Sequence, residues 1–272
     1  MPSPYKLLAL DMDGTLLDSH KQVLPRTREA IAQLAASGVA VAYCTGRNPT
    51  ELSDYVAQLP SIRYGSLVSG ALAYDFSSQE ALSVTPLPTE ACCHVIETGA
   101  LENVMVHLLC VGTSVARQTD IDRMDQVHMG IYHGMFDKLC TRAEDLEEYV
   151  RAHEGQVLKT NLYHLDNAAR ERTRARLAGM GLKLVDAEET SLECTARGIS
   201  KDKGLRAVCD ALGIGMDQVV AVGDAPNDTD ALRAAGCAVA MGNATPQIKE
   251  IADLVVADND HDGIVEAIER LF

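Results

Sequence analysis

Two stretches of this chain, one at each end, alternate short unbroken apolar runs with amphipathic segments, and that rhythm limits the available folds more than any other feature. In the first stretch, the run Lys6 to Leu10 leads into a polar, glycine-containing turn and then a helical pattern from about Pro25 to Ser37, stopped by Gly38. Val39 to Ala42 is a second run. Asn48 then stands where it can cap a helix with Pro49 in its first turn and Leu52, Tyr55, Val56 and Leu59 as its apolar stripe. Ser66 to Ser69 is a third strand candidate. The C-terminal stretch repeats the order: helix Lys201 to Leu212, strand Val219 to Val222, helix near Asp228 to Ala235, strand Cys237 to Met241, helix Pro246 to Ala252, strand Leu254 to Ala257, and a last helix from Asp262. Strands without polar alternation, separated by helices, belong inside a parallel sheet covered on both faces. The expected core is therefore α/β, a Rossmann-like doubly wound parallel sheet, in which ligands bind at the carboxyl ends of the strands.

The region from about Val84 to Ala196 breaks the rhythm. It reads as helix Glu90 to Gly99, strands near Val104 to Cys110 and Thr113 to Gln118, helix Ala143 to His153, strand Gln156 to Leu165, helix Ala168 to Met180, and strands Leu182 to Ala187 and Ser191 to Thr195. Strands here outnumber the helices between them, which suits an α+β domain with an antiparallel sheet, inserted into the first domain. The expected organisation is a core of residues 1–83 and 197–272 with an insert of residues 84–196; a length of 272 residues favours two domains.

Composition narrows the partners. Asp and Glu outnumber Lys and Arg by 39 to 24, a formal net charge of −15, which repels the backbone of nucleic acid. The same field opposes small phosphate esters, so a phosphate-handling site in this chain needs a local cation or a fixed basic group. The eight cysteines have no CxxC pair or regular spacing and read as reduced core residues. The apolar start reaches Asp11 too soon for a signal peptide, and no apolar run approaches a membrane span. A cytoplasmic protein with no membrane or nucleic-acid partner is expected, as a monomer or small homo-oligomer.

Candidate chemistry sits at three strand ends. Asp11 and Asp13 directly follow the first run, and residues two apart in extended chain face one side, so both carboxylates can project into one pocket. Gly14 and Thr15 supply a turn, and taken alone Asp-Gly is an ordinary turn pair. Thr45 and Gly46 follow the second run and offer a hydroxyl and backbone N–H groups to an anion. Gly223-Asp224-Ala225-Pro226-Asn227-Asp228 puts two carboxylates and an amide at another strand-to-helix junction, where Asn227 or Asp228 can equally serve as an N-cap. Carboxylates converging on one crevice repel one another without a cation, and all-oxygen ligands select a hard ion such as Mg²⁺. For the basic group, GISKDKG offers Lys201 and Lys203. Lys201 lies four residues before Leu205 on the stripe Leu205, Val208, Cys209 and Leu212, whereas Lys203 falls with Arg206 and Asp210 on the outer face, which favours Lys201.

Taken in order, DMDGTLL at Asp11, CTGR at Thr45, GISK at Lys201 and GDAPNDTDAL from Gly223 resemble the motifs of the haloacid dehalogenase superfamily. The tail from Ala238 to Ile268 is similar to its Cof-type branch, whose members carry a larger α/β cap between the second and third motifs. The resemblance implies a phosphatase acting on a small phosphate ester, with a cap that sets substrate specificity. It further implies that Asp11 attacks phosphorus to give an aspartyl-phosphate, that Asp13 serves as acid and then base, and that Thr45 and Lys201 hold the phosphoryl oxygens. Asp11 and Asp224 would bind Mg²⁺ with the Asp13 backbone carbonyl, Asn227 would contact phosphate, and Asp228 would support the metal or Lys201. The chain departs from the pattern at Val68-Ser69-Gly70-Ala71, where asparagine is common in place of Ser69. A phosphotransferase or phosphomutase uses the same chemistry, and a non-catalytic binding protein is the alternative from another class. In the insert, His107, Arg117, His128, His133, Lys159 and Asn161 are conceivable substrate contacts, each more often structural.

Overall fold

The computed structural model describes residues 3–187 and 189–272, which divide into two compact units. Met1–Gly46, Asp54–Ser83 and Ser200–Phe272 form the first; Arg47–Ser53 and Val84–Ile199 form the second.

The first unit is built on a sheet whose strands run, in spatial order, Leu254–Val255, Cys237–Ala240, Val219–Gly223, Leu7–Leu10, Ala40–Cys44, Tyr64–Leu67, Leu72–Asp75 and Glu80–Val84. From Leu254–Val255 to Tyr64–Leu67 neighbouring strands are parallel. Leu7, Leu8, Ala9 and Leu10 are wholly buried, as a central strand with helices on both faces requires. Each such leucine contributes roughly 1.5–3 kcal/mol of burial. The helix Lys201–Leu212 packs Leu205, Val208 and Cys209 against Leu7, Ala9, Ala42 and Val219.

Two strands depart from the expected all-parallel sheet. Leu72–Asp75 runs antiparallel to Tyr64–Leu67, and Glu80–Val84 adds an edge strand whose residues are nearly all exposed. Its apolar residues Leu82 and Val84 are themselves exposed and too few to form the unbroken run that marked the other strands. The third strand also ends earlier than expected, at Leu67: Val68 and Ser69 take φ of +51° and +58°, which turns the chain out of the sheet.

The second unit carries a six-stranded sheet in the order Leu182–Ala187, Ser191–Ala196, Val157–Tyr163, Met105–Cys110, Ser114–Ala116, Cys140–Arg142, antiparallel except for its last pair. One face packs Val106, Leu108, Leu162, Leu192 and Cys194 against residues of the helices Thr89–Ala100, Leu146–Ala152 and Asn167–Leu177. The stretch after Gln118, where periodicity indicates no element, holds short helices that place Ile121, Met124, Val127 and Phe136 on the opposite face with Met105, Ala116 and Tyr163.

Residues 47–53, assigned to the core on sequence, lie with the second unit. Asn48 explains why. Its Nδ2 donates to the carbonyls of Cys110 and Thr113 and to Ser114 Oγ, while its own backbone N–H donates to Glu51 and its Oδ1 accepts from the Glu51 N–H. The reciprocal pair has the form of a capping box, but regular helix begins only at Ser53.

Candidate active site

From Leu7–Leu10 the chain builds its next strands on one side, and on its return lays Val219–Gly223 on the other. This reversal is the switch point at which open α/β sheets leave a crevice. Leu10 stands in register with Val222 and with Tyr43, so Asp11, Thr45 and Asp224 leave adjacent strand ends together. The Asp11 N–H still donates to the Val222 carbonyl at 3.1 Å, which anchors the residue to the sheet as its side chain departs.

Lys201 enters from the first turn of its helix and is 2% exposed, whereas Lys203 on the same helix is exposed. Its ammonium donates to Asp11 Oδ1 at 2.5 Å and to Asp228 Oδ1 at 2.6 Å. The second oxygen of Asp228 accepts from the backbone N–H groups of Asp224 and Ala225 at 3.0 and 3.1 Å, so that carboxylate braces both the lysine and the turn. Carboxylate oxygens of Asp11, Asp224 and Asp228 lie within 4.8 Å of one another. Ser200 occupies the N-cap position, but its hydroxyl donates to the Asp202 side chain rather than accepting from the helix.

Three acidic groups thus face one buried ammonium. Burial, followed by the nearby Asp228 charge, pushes the Asp11 carboxyl well above its ordinary range against the opposing pull of Lys201. Burial, then Asp228, raises Asp224 to about 6. Burial works against the Lys201 charge, but Asp11 and Asp228 outweigh it and hold the ammonium in its charged form. The cluster is short of positive charge. Its donor set is entirely oxygen, so it fits a hard divalent cation and not a thiolate- or imidazole-seeking metal.

Close backbone approaches hold these groups in place. Gly14 has φ +81°, and a Cβ there would stand 2.5 Å from Asp224 Oδ2. Only glycine lets the turn reach the carboxylate. Thr15 Oγ1 donates to Asp224 Oδ1 at 3.0 Å, and Asn243 Nδ2 donates to the Gly14 carbonyl at 2.8 Å. On the other side Gly70, at φ +94°, abuts the Ser200 carbonyl, and Ser66 Oγ donates to the Lys201 carbonyl at 2.7 Å. The Ser69 N–H donates to the Thr45 carbonyl and the Thr45 N–H to the Ser66 carbonyl, so the segment around the departed Ser69 position supports the Thr45-Gly46 loop. Asn227, on the short turn Pro226–Asp228, has an Oδ1 that is buried without a hydrogen-bond partner among the described residues. Asp13 pairs with Lys21 at 2.8 Å. Lys21, Ser66 and Asn243 were not singled out as site residues on sequence, and Thr15 was read only as part of the turn; each is placed by individual hydrogen bonds or ion pairs and carries no periodic signal.

The family model for haloacid dehalogenase-like hydrolases matches residues 8–268. The chain belongs to that family. It is 27% identical over 270 residues to the pyridoxal phosphate phosphatase YbhA of Escherichia coli, covering 97% of each chain. It is also 27% identical over 277 residues to the 5-amino-6-(5-phospho-D-ribitylamino)uracil phosphatase YitU of Bacillus subtilis, covering 99% of this chain and 98% of that one. A solved haloacid dehalogenase-like hydrolase from B. subtilis superposes with a TM-score of 0.85 at 25% identity, over 98% of this chain and all of the other. These matches agree with the motif order read from the sequence and with a phosphatase enzyme on this fold.

In the second unit, the residues singled out on sequence fall in different settings. Lys159 is buried and paired with Glu193 at 2.7 Å, and Asn161 Nδ2 donates to the Tyr163 hydroxyl at 3.0 Å. His107 is buried 3.4 Å from Glu51; burial pushes its ring down to about 4, so it is a neutral imidazole near pH 7. Arg117 lies 3.5 Å from Asp120, His128 3.6 Å from Glu189, and His133 opens the helix His133–Leu139. No helix among the described residues is long and apolar enough to cross a membrane.

Proposed function

We propose that this chain is a magnesium-dependent phosphatase that hydrolyses a small phosphomonoester through a phosphorylated Asp11. The observation that carries the reading is the Asp11 carboxylate at the switch point, gripped by a buried Lys201 that Asp228 braces from behind. In the first step an Asp11 oxygen attacks phosphorus, the bond from phosphorus to the leaving oxygen breaks, and Asp13 delivers a proton to that oxygen. In the second, water attacks phosphorus, Asp13 takes its proton, and the bond from Asp11 to phosphorus breaks to release inorganic phosphate. Lys201, Thr45, the Gly46 backbone and Asn227 hold the phosphoryl oxygens as charge builds on them.

The carboxylates of Asp11 and Asp224, with the Asp13 backbone carbonyl, are the proposed ligands of Mg²⁺. Asp228, also expected among them, has its oxygens engaged by Lys201 and two backbone N–H groups, and its proposed part is to fix those donors. Bound Mg²⁺ supplies charge neutralisation at the phosphoryl group. The second unit, residues 84–199 with 47–53, is proposed to select the substrate. A cytoplasmic location is proposed as well, with all eight cysteines unpaired in support.

The test is release of free phosphate from p-nitrophenyl phosphate and from a panel of phosphorylated metabolites. Hydrolysis is expected to fall at least about a hundredfold in EDTA and to return with added Mg²⁺. Activity undiminished by EDTA contradicts the reading. Isomerised sugar phosphate without free phosphate would mark a mutase instead.

A further inference from the structure

Lys21 belongs to none of the motifs, yet its Nζ lies 2.8 Å from Asp13 Oδ1. The turn that presents it is held from several directions. The backbone N–H groups of His20 and Gln22 both donate to Asp18 Oδ1, at 2.9 and 2.8 Å. The Asp18 N–H donates to the Gln22 carbonyl and the Lys21 N–H to the Asp18 carbonyl, at 2.9 and 3.0 Å. Inside this turn Lys21 has φ +59°, a conformation that a residue with a Cβ keeps only where its surroundings impose it. The Tyr55 hydroxyl adds a hydrogen bond to the Lys21 carbonyl at 3.2 Å. The lysine stem therefore starts from a defined point.

The side chains of Lys21 and Asp13 are 29% and 28% exposed. An ion pair this open to solvent contributes little to stability, so its consequence lies in orientation. The terminal torsion of an aspartate is broad, and a proton donor displaced by a fraction of an ångström loses much of its effect. We propose that Lys21 is a positioning residue: its ammonium fixes the Asp13 carboxylate in the orientation that serves the leaving oxygen and then the attacking water. This role rests on the phosphatase reading above.

Leaving-group dependence tests it. p-Nitrophenolate departs without a proton, whereas the alkoxide of benzyl phosphate, of similar shape, needs one. In Lys21→Met, kcat/KM for benzyl phosphate is expected to fall about 10- to 100-fold. For p-nitrophenyl phosphate kcat/KM should stay within about twofold, while kcat and KM fall together because the later water attack also uses Asp13. Lys21→Arg should restore benzyl phosphate hydrolysis, and the melting temperature of Lys21→Met should match the parent's. Equal losses on both substrates, or none on benzyl phosphate, overturn the role for Lys21 while leaving the phosphatase reading intact. A parent protein that releases phosphate from neither ester nor any metabolite of the panel overturns both.

Discussion

Replacing Asp11 by asparagine is expected to lower phosphatase turnover at least about 10⁴-fold, because the amide keeps the shape of the carboxylate but cannot act as the nucleophile. The loss should come without unfolding. Asp11 is 5% exposed and shares its surroundings with Asp224 and Asp228, so a neutral side chain relieves repulsion that burial makes costly. Lys201 keeps Asp228 as its counter-ion. A melting temperature at or above the parent's, beside the lost activity, is the expected pair of results, in line with active-site groups that are held at some cost to stability. Retained hydrolysis in Asp11→Asn would remove the proposed nucleophile.

Lys201→Met should be severe in a different way. The methionine fills the space of the stem but takes away the ammonium bonded to Asp11 and Asp228 at 2.5 and 2.6 Å. Removing one partner of a buried ion pair ordinarily costs about 3–5 kcal/mol, because the remaining charges lie uncompensated. The cost should shrink as pH falls, because burial already raises the Asp11 carboxyl and acid neutralises it. Loss of a preorganised positive charge at the phosphoryl group should in addition lower kcat roughly 10²- to 10³-fold. Lys203→Met, on the exposed side of the same helix, should change neither stability nor rate appreciably. Denaturant melts and steady-state rates of the two variants check this; equal behaviour of the pair would contradict the role given to Lys201.

The contrast between these lysines also shows what was legible before the structure. A four-residue spacing to Leu205 places Lys201 on the buried stripe of its helix, and the structure has it buried, because helical periodicity is a local property that tertiary packing respects. The convergence of Asp11, Thr45 and Asp224 was readable for a similar reason: unbroken apolar strands imply a parallel sheet, and its connections put the following turns at one edge. What the residues alone left open was the division of labour within GDAPND. Asp228 had the form of an N-cap, a metal ligand or a brace for Lys201, and only its bonds to Lys201, Asp224 and Ala225 show how its oxygens are used.

The misses have local causes too. Glu80–Val84 is exposed along nearly its whole length, and even its Leu82 and Val84 are open to solvent, so no unbroken apolar run marks it as a strand. Asn48 looked like the start of a helix of the core, but a single amide bonded to Cys110, Thr113 and Ser114 draws residues 47–53 into the second unit. Those partners lie more than sixty residues away, out of reach of any periodic reading. Lys21 was missed although Asp13 lies only eight residues away, because its meaning comes from a turn geometry and a side-chain contact, not from a pattern.

The central claim is that Asp11 carries the phosphoryl group between substrate and water. Its most direct test is to quench Asp13→Asn during turnover with labelled p-nitrophenyl phosphate, digest the protein and locate the label by mass spectrometry. Attack by Asp11 survives in this variant while the later hydrolysis loses its base, so a hydroxylamine-sensitive acyl phosphate on the peptide containing Asp11 is the predicted result. Label on another residue, or turnover by Asp13→Asn with no trapped phosphoenzyme, would contradict the account.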